Sequence, residues 1–149
     1  MLVALDTNIL LRIVNPADPQ RLEIRRALEN LRKRQSSFCF FHQNAAEFWN
    51  VCTRPSTSRG GYGLSGQETA KRLALLERFC SVLDEIPGTY QKWNELVATR
   101  EVKGVQVHDA RIVASMLMQH VRLLVTYDVE DFNRYAEIEA RSPKELLNR

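Results

Sequence analysis

Asp6, Glu47, Asp109 and Asp128 are far apart in the chain, each at the edge of an apolar segment: after LVAL, early in NAAEFWNVC, at the opening of HDARIVASM and after RLLVTY. Packing requires none of these carboxylates. Gathered into one pocket, they would raise one another's proton affinity strongly and stay ionised together only around a cation. Mg²⁺ and Mn²⁺ prefer hard oxygen ligands and keep several waters, which is what a carboxylate cup open to solvent offers. One or two such ions can hold a phosphate and lower the pKa of a bound water so that it attacks phosphorus in line. Each residue taken singly has a plainer explanation. Asp109 can be a first-turn residue favoured by the helix dipole, Asp128 the cap of a short helix holding Asp131, and Asp6 a turn former. Glu47 can be an exposed residue opposite an apolar stripe. The chemistry depends on convergence, and so on the elements that place these residues.

The apolar run 2–5, ended by Asp6, reads as a buried strand, and residues 8–14 as a helical turn or two stopped by Pro16 and Pro19. Between 19 and 34, Ile24, Ala27, Leu28 and Leu31 recur at helical spacing with a basic opposite face. Residues 37–41 form a second strand, and a helix follows from about Asn44 with Ala45, Phe48, Trp49 and Cys52 on one buried stripe. The stretch 54–66, with Pro55, four glycines and several serines, reads as a flexible loop. Ser65 and Glu68 make a capping box for a helix running to Phe79, packed by Leu73, Leu76 and Cys80. A short strand is expected at 82–86, then a helix over 89–102 burying Tyr90, Trp93 and Val97, with Gly104 as its stop signal. A largely apolar helix over 108–120 precedes a strand at 123–126, a weaker strand at 137–140 and a short C-terminal helix within 142–149. Strands alternating with helices predict an α/β protein: a three-layer α/β/α sandwich around a central, mostly parallel sheet. In such sheets ligands bind beyond the carboxyl ends of the strands, where the strand order reverses, and that edge would collect all four carboxylates.

At 149 residues the chain is expected to be a single domain, residues 1–149, with a core that needs no disulfide. Hydrophobic residues at 44% and charged residues at 26% exclude a disordered chain, and no apolar run approaches a membrane span. MLVALDTN does not read as a signal peptide, so the cytoplasm is the expected location. Cys39, Cys52 and Cys80 match neither a disulfide framework nor a zinc motif and are expected as buried free thiols. A formal charge of +3 permits an anionic partner without requiring one. Basic residues cluster at Arg21, Arg25, Arg26, Arg32, Lys33 and Arg34, and again at Arg54 and Arg59 beside STSRGGYG; phosphate attraction and a solvated helix face explain the first group equally well.

Taken in order, LDTNILLRI, AAEFWNV, VHDARIVASM and LLVTYDVEDFNRY resemble the PIN domain family over nearly the whole chain, and within it the small VapC-like ribonuclease toxins of toxin-antitoxin pairs. The resemblance implies a Mg²⁺- or Mn²⁺-dependent endoribonuclease, with Asp6, Glu47, Asp109 and Asp128 as catalytic metal ligands and Asp131 as a further ligand or support. It also implies that Thr7, Asn8 and Thr126 support the cluster by hydrogen bonds. No acidic position of the pattern is lost. RNA would be the substrate, with Arg12, Arg54, Arg59 and Arg111 as candidate phosphate contacts and Tyr62 and Tyr127 as candidate base-stacking residues. His108, beside the site, reads as structural, because a metal-bound water already supplies the nucleophile. A small antitoxin and a homodimer are implied partners. The antitoxin groove would lie along 21–31 or near Phe48 and Trp49, although apolar stripes there also suit a core. Two alternatives keep the fold: a non-catalytic nucleic-acid or protein-binding module, and a metal-dependent DNA nuclease. An aspartyl-nucleophile phosphatase would favour DxD after the first strand, where this chain has Asn8.

Overall fold

The computed structural model describes residues 1–148. Five short strands, β1 (Leu2–Leu5), β2 (Ser37–Phe41), β3 (Cys80–Leu83), β4 (Leu123–Val125) and β5 (Glu139–Arg141), form one sheet in the order β3-β2-β1-β4-β5. Every neighbouring pair is parallel, so the sheet is parallel throughout rather than mostly so. Parallel neighbours need a crossover between them; from β1 to β4 these contain helices α1 (Thr7–Ile13), α2 (Arg21–Lys33), α3 (His42–Thr53), α4 (Gly66–Glu77), α5 (Thr89–Thr99) and α6 (Gln106–Met118), and from β4 to β5 only a 3-10 turn. A short α7 (Pro143–Leu147), capped by Ser142 and Glu145, closes the chain.

Alternation along the strands divides the core in two. Val3 and Leu5 point to one face with Ile9, Ile24, Phe48 and Leu76 from α1 to α4, while Ala4 points to the other with Leu96, Val113 and Met116 from α5 and α6. With both faces covered, the inner strands read as unbroken apolar runs. Fully buried side chains such as Ile24 are each worth ~1.5–3 kcal/mol relative to exposure. The chain steps from β1 outward to β2 and β3, then returns to β4 beside β1 and moves the other way to β5. That reversal opens a crevice between the carboxyl ends of β1 and β4.

Several sequence expectations shift. β3 occupies 80–83 rather than 82–86, and β5 occupies 139–141 rather than 137–140. Both are edge strands whose exposed faces blur the apolar pattern. Trp49 and Tyr90 lie on the solvent side, and the buried positions of their helices are Asn44, Phe48 and Cys52, and Thr89 and Leu96. Aromatic size, on which the stripes rested, is a poor guide to which helix face turns inward. The loop read as flexible is stitched by main-chain bonds: Tyr62 N–H to Val51 O, Gly63 N–H to Arg54 O and Leu64 N–H to Cys52 O. Gly61 is required there, since a Cβ would sit 2.4 Å from the carbonyl oxygens of Arg54 and Pro55. All three cysteines are buried and free, as expected.

Candidate active site

Asp6 is the residue after β1 and the N-cap of α1, its Oδ1 accepting from Thr7 N at 2.7 Å. Its Oδ2 accepts from the Thr126 hydroxyl at 2.6 Å and the Asn8 amide at 3.1 Å. Thr126, fully buried at the end of β4, also accepts from Asn8 and from the backbone N–H of Asp128, both at 3.0 Å. A hydroxyl has one proton and two lone pairs, and all are used. The Asn8 amide reaches Asp128 Oδ2 at 3.0 Å, while its oxygen accepts from Tyr127 N at 3.2 Å. These bonds tie the ends of β1 and β4 across the crevice.

Glu47 comes from α3, one turn after its start. Its Oε2 accepts from the Thr7 hydroxyl at 2.7 Å, and Thr7 accepts from the buried Asn44 amide at 3.2 Å. Its Oε1 accepts from Gln43 at 2.9 Å. Asp109 lies in the first turn of α6, and Asp131 in the short 3-10 turn Val129–Phe132 that follows Asp128. Neither makes a side-chain hydrogen bond among the described residues.

Asp6 and Asp109 each feel the charge of the other carboxylates as well as their own burial. Burial pushes the Asp6 carboxyl up to about 6; the Thr126 and Thr7 donors pull it down, and Glu47 and Asp128 push it further up. Asp109 also rises to about 6, through burial first and then through Asp6, Asp131, Glu47 and Asp128. Among the described residues, no ion pair neutralises any of the five carboxylates. Crowded, unneutralised oxygens on one edge of a sheet suit a hard divalent cation. No three His, Cys, Asp or Glu side chains among the described residues stand close enough to form a ready-made ligand cage.

Hydrogen bonds thus join Asp6, Asn8, Thr126 and Asp128 and tie Glu47 to Thr7, while Asp109 is linked to the other carboxylates only through their charge. The candidate arginines Arg12, Arg54 and Arg111 have partners of their own. Arg12 is committed inward, donating to Gln20 Oε1 and Asn8 O at 2.8 Å each and lying 5.2 Å over the Tyr127 ring. Arg54 binds Arg59 O within its own loop, and Arg111 pairs with Glu85. Tyr127 donates its hydroxyl to Glu23, and Tyr62 lies under Arg72, so neither ring is free on both sides. His108 is exposed, and its carbonyl accepts from Gln43. Gln43 and Asn44 were missed by the sequence reading. A Gln and an Asn four and three residues before a functional Glu share its helix face, and that spacing was the available signal.

A five-stranded parallel sheet of this order, covered by helices on both faces, is a three-layer α/β/α sandwich. The PIN domain model matches residues 3–138, and the chain belongs to the PIN domain family. No curated protein sequence matches it significantly. Among solved structures, it is similar to a chain of VapBC-1 from nontypeable Haemophilus influenzae (17% identity, TM-score 0.71, covering 97% of this chain and 99% of that one). It is likewise similar to a chain of VapBC2 from Rickettsia felis bound to a promoter DNA fragment (16%, 0.69, 95% and 98%). A third is VapC20 from Mycobacterium tuberculosis, described as a Sarcin-Ricin loop cleaving toxin (18%, 0.63, 93% and 98%). At these identities the likeness speaks to the fold.

Proposed function

We propose that the protein is a divalent-metal-dependent endoribonuclease and the toxin of a toxin-antitoxin pair. The observation that carries this reading is the hydrogen-bonded grouping of Asp6, Asn8, Thr126 and Asp128 at the switch point of a PIN fold, with Thr7 tying in Glu47 and no ion pair on these carboxylates among the described residues. The RNA-cleaving relative of the same fold adds support for the substrate class.

In this reading Asp6, Glu47, Asp109 and Asp128 hold Mg²⁺ or Mn²⁺ directly or through water, with Asp131 as a further ligand or support. The bound ion would supply charge neutralisation at the scissile phosphate and a water acidic enough to act as nucleophile. The chain's own residues do the positioning. Thr126 and Asn8 hold Asp6 and Asp128 at a set spacing, Thr7 orients Glu47, and Asn44 orients Thr7. The rim of α6 leaves Asp109 without a donor, free to turn toward a cation. Arg12 acts through Asn8 and Tyr127 rather than on substrate, whereas Arg54, Arg59 and Arg111 remain the candidates for phosphate contact.

The antitoxin's place is a groove of about 510 Å³ between α2 and α4, floored by Ile13, Val14, Leu28, Phe38 and Phe79 and fringed by arginines that include Arg25 and Arg78. Apolar lining with a basic rim suits an amphipathic segment bearing acidic residues. VapBC complexes among the similar folds support a partner of this kind. A homodimer is expected, and its mass in solution checks it. No helix among the described residues is long and apolar enough to cross a membrane, and the cytoplasm is the proposed location. The deciding experiment is cleavage of a structured RNA by purified protein with and without Mg²⁺ or Mn²⁺, beside Asp6→Asn. Metal-independent cleavage, or an Asp6→Asn variant as active as its parent, would refute the assignment.

A further inference from the structure

Gln43 sits one helical turn before Glu47, and its amide is unusually constrained. One proton of Nε2 goes to Glu47 Oε1 and the other to the carbonyl of His108, both at 2.9 Å. Turning the amide over would set its oxygen against two acceptors, so the network fixes which way it faces. Its Oε1 is then buried with no hydrogen-bond partner among the described residues. Buried acceptors without donors are rare and costly, so the two Nε2 bonds must outweigh that loss to hold the amide this way round.

The His108 bond has a second consequence. α3 packs on one face of the sheet and α6 on the other, so a single side chain links the turn carrying Glu47 to the turn carrying Asp109. Glu47 Oε2 is held separately by Thr7. Removing Gln43 therefore frees one oxygen of Glu47 and releases the α6 turn, while the Thr7 contact survives.

We infer that Gln43 is a positioning residue: by holding Glu47 Oε1 and the His108 carbonyl together, it sets the spacing between the Glu47 and Asp109 carboxylates that take the divalent ion. This rests on the metallonuclease reading. Partners one shell out from a metal typically change affinity or activity by ~10–100-fold.

The test is calorimetric titration of Mn²⁺ into the full chain, for the parent and for Gln43→Met, which keeps the side-chain length but offers no amide. Thermal melts confirm folding. Gln43→Met is expected to bind Mn²⁺ about tenfold more weakly. At limiting Mn²⁺ its RNA cleavage rate should fall by a similar factor, with KM for RNA within about twofold of the parent and most of the rate restored by excess Mn²⁺. Gln43→Asn, one methylene too short to span both acceptors, should behave alike and serves if the Met variant does not fold. Parent-like Mn²⁺ affinity in either folded variant overturns this proposal alone. A raised KM with unchanged Mn²⁺ affinity also overturns it, by placing Gln43 against the RNA. A parent that takes up no Mn²⁺ overturns the metallonuclease reading together with this one.

Discussion

Asp6 and Asp109 meet the same fate by different means. Both carboxyls are pushed up to about 6, chiefly by burial, yet Asp6 accepts three hydrogen bonds and Asp109 accepts none among the described residues. The difference follows the two faces of the sheet. The α1–α3 side and the end of β4 bring Thr7, Asn8, Asn44 and Thr126, which orient Asp6 and Glu47 in advance. The α6 side presents Asp109 against a bare, crowded edge. One half of the candidate site is held in advance by hydrogen bonds, and in the other Asp109 accepts none among the described residues.

The largest effects should come from the carboxylates themselves, and they should split by face. Asp6→Asn and Asp109→Asn are each expected to cut metal-dependent RNA cleavage by at least ~100-fold, because a direct ligand matters more than the second-layer partners whose loss costs ~10–100-fold. Melting of the metal-free proteins at pH 8 should then tell them apart. Asp109→Asn relieves repulsion and offends no donor, so it should raise Tm by a few degrees. Asp6→Asn must turn an NH₂ toward Thr7 N or toward Asn8 and Thr126, so its Tm should stay level or fall. Equal Tm gains in both variants would erase the distinction.

Next in size is the pH response. Both groups bind protons more tightly in the folded chain than the ordinary value of 3.8 allows in the unfolded one. Between roughly pH 4 and 6 the native state therefore carries more protons, and the stability of the metal-free protein should fall as pH rises through that window. Added Mn²⁺ should remove the loss at the upper end, and Asp109→Asn should flatten the slope. A stability that climbs from pH 4 to 6 would contradict the burial of these charges.

Thr126→Val deletes the bond across the crevice and leaves Asn8 and the Asp128 N–H without their shared acceptor. A cost of about 1–3 kcal/mol in denaturant unfolding is expected, with weaker Mn²⁺ binding. Tyr127→Phe removes only the bond to Glu23, and about 1 kcal/mol with cleavage within threefold of the parent is expected. If Tyr127→Phe disables cleavage as Asp6→Asn does, the prebuilt half extends further from the carboxylates than its hydrogen bonds indicate.

The order of elements, the five strands, the buried α6 and the set of acidic residues could all be read from the chain, because each is a local pattern: an apolar run, a helical period, an acid at a strand's end. The capping boxes at Ser65 and Ser142 are local too, and only the first was recognised. The bounds of edge strands β3 and β5, the solvent-facing Trp49 and Tyr90 and the ordered loop after Arg54 were not legible. Their placement depends on which neighbour covers them. Which acid is held and which is bare was likewise decided in three dimensions. Thr126 and Asp6 are 120 residues apart, as are Asn8 and Asp128, and no spacing rule connects them. Sequence chose the charges because residue type is a local property. Folding chose their partners because hydrogen bonds need atoms within about 3 Å, and only the sheet's strand order brings those atoms to one edge.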